Sequence, residues 1–250
     1  MQNSRHPVRS FGVTFPKGHP GPSRQTVPPV AAGWHQLIHA TRGVMSIRTG
    51  DCAWVVPPQR AMWIPAGERC EVRLSGEVAL RTLYLLDELA VGLPSRTMAV
   101  NVSPLLRELI VRVNRIGALD REVPEQDRLI GVILDELKLL REAPLPLPLP
   151  KDPRALRLAA LAQEEESLPR LVRECGASLR TLERLFRAET HMSLGQWRRR
   201  QKLQKAIGLL GSGEPVNAVA LDLGYGSASA FIAMFQRELG ETPARYFRLS

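Results

Sequence analysis

The chain has 250 residues, with 34 Lys and Arg against 25 Asp and Glu, a net charge of +9 and a pI of about 10.2. That length allows two domains, the apolar content is ordinary for a globular protein, and the basic excess points to a polyanionic partner. No apolar run reaches the roughly 18 residues that cross a bilayer, the N-terminus lacks the apolar core of a secretory signal, and Cys52, Cys70 and Cys175 are too few and too scattered for a disulfide framework. Membrane-spanning and disulfide-scaffold classes are therefore excluded, and a cytoplasmic protein with reduced thiols is expected.

Residues 8–15 read as one strand, and 17–29, with four prolines and two glycines, as loop. Short β-prone runs follow: WHQLIHA, VMSIRT, CAWVVP, AMWIP, CEVRL and VALRTLYLL. Turn signals separate them at Arg42-Gly43, Gly50-Asp51, Pro57-Pro58, Ala66-Gly67 and Ser75-Gly76. Closely spaced short strands imply an antiparallel sandwich or barrel. His35 and His39 are four apart on a predicted strand and so share a face, where they are expected to be half-exposed. A ligand pocket inside the barrel would be lined by Trp54, Met62, Trp63 and Tyr84.

From residue 101 the period turns helical. Ser103-Pro104 is a helix start, with Leu105, Leu106, Leu109, Ile110 and Val113 as its stripe and Gly117 as its stop. A second helix, 124–141, has a wide apolar face of Leu129, Ile130, Ile133, Leu134, Leu137 and Leu140. This pair either packs within the chain or forms a dimer seam. APLPLPLP at 143–150 excludes helix and reads as an extended spacer. The predicted division is 1–100 (β-rich), 101–142 (helical pair), 143–150 (linker) and 151–250 (helical).

The last hundred residues carry sixteen Lys and Arg against eleven Asp and Glu. Their pattern repeats. ECGASLRTLERLF and DLGYGSASAFIAMF each have a Gly, a Ser soon after it, and an apolar set ending in Phe. Each reads as the turn and second helix of a helix-turn-helix, capped by Ser178 and by Ser227. A long helix at 193–210 lies between them. Such second helices enter a DNA major groove. In the first, Arg180, Glu183 and Arg184 have the chemistry to read bases, since Arg pairs with guanine O6 and N7 and Glu accepts from cytosine N4. Thr181 and Arg187 lie on the same helix. In the second, Ala228, Ser229, Ala230 and Ala233 are small, so the first unit is expected to do more of the reading. Arg199 and Lys205 on the long helix, and Arg237, would reach phosphates.

WVVPPQRAMWIPAGERCEVRLSGEVALRTLYL is similar to the cupin-like sensor barrel of AraC-family regulators. Residues 154–248 resemble the AraC/XylS-type DNA-binding domain, above all in GY–S–S–F–––F–––G–TP––Y. The resemblance implies a mainly β, cupin-like barrel, two helices, and an all-α domain with two helix-turn-helix units. It implies double-stranded promoter DNA as partner, a small-molecule effector, a homodimer and, for an activator, a contact with RNA polymerase. The base-facing positions named above match the family's. The chain departs from the pattern at several places. Gln59 and Cys70 stand where relatives carry His, and Val30 and Ala32 fall where they carry His-x-His, so no metal and no cofactor are expected. His191 replaces a Gly, Lys202 replaces an Arg, and 163–167 is short. Two other readings stay open: a DNA-binding protein whose barrel is only a scaffold or dimerisation module, and a cupin enzyme, which needs the missing metal cluster. No catalytic residue is assigned.

Overall fold

The computed structural model describes residues 5–16, 33–143, 146–162 and 167–247. The loop expected at 17–29, residues 30 and 32, and most of the short segment 163–167 lie outside them.

Eight antiparallel strands form one sheet rolled around an apolar interior: β1 (Val8–Phe15), β2 (Trp34–Arg48), β3 (Cys52–Val56), β4 (Arg60–Ile64), β5 (Glu71–Leu86), β6 (Met98–Asn101), β7 (Ala118–Leu119) and β8 (Leu147–Pro148). The main order is β6-β4-β2-β5-β1-β7, with β3 pairing β2 and β8. Two runs predicted as separate strands are joined in β2, and two more in β5. The turn signals Arg42-Gly43 and Ser75-Gly76 do not reverse the chain. They face each other across one bend, where Arg42 pairs with Ala79 and Val44 with Ser75 through shifted register. A bulge adds a residue and a kink without ending the strand. The first half of β2 can then pair β4 and the second half β3.

Gly43 is the residue that makes this bend. Its φ is +77°, and a Cβ there would lie 2.3 Å from the carbonyl oxygen of Glu77. Gly43→Ala is expected to destabilise the chain by about 2–4 kcal/mol, from the left-handed backbone plus the clash. Urea unfolding measures this, and an unchanged midpoint would show that the bend has another origin.

The two faces of the sheet have different roles. Ile38, Met45, Ile47, Trp54, Met62, Ile64 and Leu80 fill the interior. Leu37, Trp63, Leu83 and Leu85, one residue out of phase, face α1 (Pro104–Ile116) and α2 (Pro124–Lys138). Those helices turn Leu106, Leu109, Ile110, Val113, Ile130, Ile133 and Leu137 onto the sheet. Most of the apolar stripes are thus buried within one chain. Leu105, expected in the stripe, is instead exposed. The Ser103 hydroxyl caps α1, accepting from Leu106 N at 2.9 Å.

His35 and His39 do share a face, as their spacing requires, but both are buried rather than half-exposed. His35 stacks on Trp63 and donates through Nε2 to Asp87 at 2.7 Å. His39 donates through Nε2 to the Pro58 carbonyl, and burial pushes its imidazole down to about 4. They lie on the helix-facing side of the sheet, away from the interior.

The proline-rich segment is extended, but it is not a free spacer. Leu147 and Leu149 are buried, β8 pairs with β3, and Leu149 N donates to Asp51 O at 2.8 Å. Strand geometry sends the N–H and C=O of alternate residues to opposite sides. The leucines face the sheet. Pro146 and Pro148 stand where an N–H would point away from it, so its absence costs nothing. Their carbonyls are taken from the other side, by Arg200 at 3.0 Å and Trp197 at 2.7 Å.

The remaining elements are α3 (Pro153–Leu161), α4 (Leu168–Glu174), α5 (Leu179–Thr190), α6 (Leu194–Gly211), α7 (Val216–Asp222), α8 (Ala228–Leu239) and α9 (Pro243–Tyr246). They build two cores. The first joins Ala155, Leu158, Leu171, Leu182, Phe186 and Trp197. The second joins Leu203, Ile207, Val219, Ala220, Phe231, Phe235 and Tyr246. The long helix α6 gives its first turns to one core and its last turns to the other, which fixes the two units against each other.

Candidate nucleic-acid interface and effector cavity

Both units have the helix-turn-helix arrangement. Gly176 and Gly224 sit in the two turns with φ of +63° and +75°. The hydroxyls of Ser178 and Ser227 then cap α5 and α8, each accepting from the third residue on at 3.2 Å. Buried Leu182, Leu185 and Phe186 hold α5, and buried Phe231 and Phe235 hold α8. These contacts leave one face of each helix open. Ser178, Arg180, Glu183, Arg184 and Arg187 are exposed on the first, with Thr181 half-buried behind the Ser178 hydroxyl. Ser227, Ser229, Ala230, Ala233 and Arg237 are exposed on the second, and Ala228 is half-buried. Among the described residues, Arg180, Arg184 and Arg187 have no ion-pair or hydrogen-bond partner, so their guanidinium groups face solvent uncompensated.

The two lysine and arginine positions expected to reach phosphate on α6 separate. Arg199 is exposed on the side that meets the ends of α5 and α8. Lys205 is on the other side, facing the sheet, where it pairs with Asp222 at 2.9 Å. At 100° per residue the two positions are far apart around the helix, so they cannot serve one surface. Lys202, which stands where relatives have Arg, donates to the Leu223 carbonyl at 3.3 Å and ties α6 to the second turn.

The barrel docks on α6 through β3. Ala53 packs against the first helical core and Val55 against the second. Gln204 donates to Ala53 O at 3.1 Å, and Gln59 donates to Phe247 O at 2.9 Å. Gln59 thus works as a tie between the two halves at a position where the resemblance calls for His. The Arg60 guanidinium, largely buried, lies over the Tyr246 ring at 4.8 Å. Gly211 lets α6 approach β2, since a Cβ there would fall 2.4 Å from a Val44 methyl.

Beside these contacts a cavity of about 460 Å³ opens between the sheet and the helices. Ile47, Trp54, Leu147, Leu149 and Trp197 supply apolar lining. Arg48, Arg73, Arg198, Lys202 and Lys205 stand around it with one carboxylate, Glu71. Its size is typical of small-molecule sites. Of the four residues expected to line a pocket, Trp54 alone lines this cavity. Met62 is packed in the sheet interior, and Trp63 faces the opposite way, donating to Pro94 O at 2.7 Å. Adjacent strand residues point to opposite faces, so Met62 and Trp63 cannot line one pocket. Tyr84 is half-buried, its hydroxyl has no partner among the described residues, and burial pushes it up to about 12. The structure does not bring these four together. Among the described residues no group of three or more His, Cys, Asp or Glu side chains is placed to hold a metal.

Two helix-turn-helix units on a shared long helix, with an apposed β-sheet domain, define a two-part DNA-binding regulator. Residues 171–249 match a family model described as a helix-turn-helix domain, and residues 19–188 one described as an AraC-like ligand-binding domain. The chain belongs to the AraC family of transcription regulators. It is 34% identical over 232 residues to the HTH-type transcriptional regulator NimR of Escherichia coli strain K12, covering 91% of this chain and 85% of that one. It is 38% identical over 77 residues to the regulatory protein SoxS of Salmonella typhimurium, 30% of this chain and 72% of that one. Among solved structures, an unsaturated fatty acid-bound ToxT from Vibrio cholerae aligns over 96% of this chain and 94% of its own, at 10% identity and a TM-score of 0.36. The DNA-binding domain of AdpA in complex with a target DNA aligns over 39% and 91%, at 33% identity and a TM-score of 0.34. At these scores the structural likenesses add nothing to the family assignment. The chain is a DNA-binding transcription regulator with a ligand-binding domain.

No helix among the described residues is long and apolar enough to cross a membrane.

Proposed function

We propose that this regulator is controlled by a small organic molecule bound in the seam between sheet and helices. The observation that carries this reading is the cavity of about 460 Å³ whose wall comes from both halves of the chain. A ligand there touches the sensor sheet and α6 at once, so it can alter how the two are held. Apolar lining beneath five cationic side chains and one carboxylate favours an organic acid with an apolar body.

The division of the chain at 1–100, 101–142, 143–150 and 151–250 belongs to the same proposal, with a cupin-like barrel as the sensor. So do the base-reading roles of Arg180, Glu183 and Arg184, the closer fit allowed by Ala228, Ser229, Ala230 and Ala233, and a cytoplasmic location. We assign no catalytic activity. Activation through RNA polymerase and pairing of two copies are further parts of this reading. Leu221 on α7, Leu105 on α1, Val132 on α2 and Leu139 just after it offer exposed apolar surface for such partners.

The test is thermal melting of the full chain against a panel of small organic acids and their neutral amides. A binding acid at a hundred times its Kd should stabilise the fold by about 2.7 kcal/mol. The effect should shrink in Arg73→Ala. A broad panel that shifts nothing would favour a barrel serving only as scaffold.

A further inference from the structure

A second cavity, of about 690 Å³, lies where the ends of the two reading helices meet the first half of α6. His191 and Met192 come from the corner after α5, Gln196, Arg199 and Arg200 from α6, and Arg237 and Glu238 from α8. No effector role falls to it in the reading above, and its lining is largely cationic.

Its position follows from helix spacing. On α5 the exposed positions 180, 184 and 187 continue to 191. These are separations of four, seven and eleven, which keep one face. On α8 the exposed positions 230, 233 and 237 do the same at three and seven. His191 and Arg237 therefore end the two faces that present side chains to DNA. The cleft between them joins those faces. When two such helices enter successive major grooves, the backbone that separates the grooves passes in front of the space between them.

His191 is the unusual member. It caps α5 in the left-handed region, with φ 57° and ψ 21°, the sole non-glycine residue there among the described ones. Glycine adopts that backbone without penalty, and the family resemblance calls for glycine at this point. The imidazole is exposed and lines the cleft, with no hydrogen-bond or ion-pair partner among the described residues. Arg199 is likewise exposed and without one. Arg200 is engaged with Pro146 O, and Arg237 leans on Glu238 at 3.4 Å. The groups that face His191 are thus Arg199 and Arg200 from α6 and Arg237 with Glu238 from α8, with Arg187 one turn back on its own helix. Three arginines and one carboxylate line the cleft beside His191, with Arg199 unengaged among the described residues, and such a set suits a phosphodiester.

We infer that this cleft seats the phosphates of the DNA segment between the two grooves, with the His191 ring as a donor in that seat. The inference rests on the two helices reading successive grooves. An imidazole N–H can donate to a phosphate oxygen.

The experiment uses the full chain and a duplex it selects from a random pool. His191→Gly should melt no lower than the native chain, because the left-handed backbone is relieved. It should nevertheless bind the duplex more weakly at fixed salt. Arg199→Gln, at an exposed position, should weaken binding too and lower the salt slope by about one. Methylphosphonate substitution between the two half-sites should erase the difference between native chain and His191→Gly. The same substitution outside the site should leave it. Equal affinity for His191→Gly overturns the inference, as does a central methylphosphonate without effect on the native chain. A chain that selects no sequence at all would instead overturn the two-helix reading on which it stands.

Discussion

Trp197→Ala should lower the unfolding free energy by about 3–5 kcal/mol, the range for emptying a large aromatic site in a core. Trp197 is 1% exposed and meets Phe186 edge-to-face at 5.1 Å. Its indole N–H also donates to Pro148 O at 2.7 Å. One side chain thus fills the first helical core, supports α5 from behind and ties α6 to β8. Trp197→Phe keeps much of the ring but loses the donor, so it should cost less, with about 1 kcal/mol of the loss due to the hydrogen bond. Urea unfolding of the three chains separates packing from tie. A Trp197→Ala chain within 1 kcal/mol or so of the native one would mean that the first unit's core closes over the gap.

Arg184→Ala should leave stability unchanged and weaken binding to the preferred duplex by about 1–3 kcal/mol, with relaxed preference at one base pair. The stability half follows from exposure and the lack of a partner for the guanidinium among the described residues. The binding half follows from its place between Arg180 and Arg187 on the open face of α5. Binding to random duplex should fall much less, since loss of a base contact spares the phosphate contribution. Titration of both duplexes at fixed salt decides it. A uniform loss on both would move Arg184 to the backbone-contacting set. Unchanged affinity for the preferred duplex would remove α5 from base reading.

The helical half was largely legible because its signals are local. Ser103, Ser178, Ser193 and Ser227 all cap the helices their positions announce, and Gly176 and Gly224 turn where expected. Leu182, Leu185, Phe186, Phe231 and Phe235 are buried as their spacing implies. In α3 the apolar residues Leu156, Ala159, Ala160 and Leu161 suggest one inward face, but the buried set is Ala155, Leu158 and Ala159. In so short a helix the partner elements choose the face.

The sheet was less legible because bends and turns share a vocabulary. Arg42-Gly43 and Ser75-Gly76 look like reversals, and only their mutual pairing makes them one kink. The candidate pocket failed on parity. Residues 62 and 63 cannot face the same way, whereas the cavity actually formed draws on β2, β3, β5, β8, α3 and α6. No local pattern links positions 48, 73 and 205, which meet only once the barrel docks on α6. The same docking sets the sheet beside Lys205, which helix spacing alone already separates from Arg199.

One consequence of β8 concerns association between molecules. Without β8, strand β3 would be an open edge, with unpaired backbone groups ready to recruit a strand from another chain. β8 covers that edge and does not create a new one. Pro146 and Pro148 present no N–H outward, and the carbonyls they do present are occupied by Arg200 and Trp197. Growth of the sheet stops there. The Leu-Pro alternation that looked like a spacer therefore also acts as a guard against strand-to-strand aggregation. Replacing its prolines with valines would restore outward donors and reopen the sheet to a neighbour.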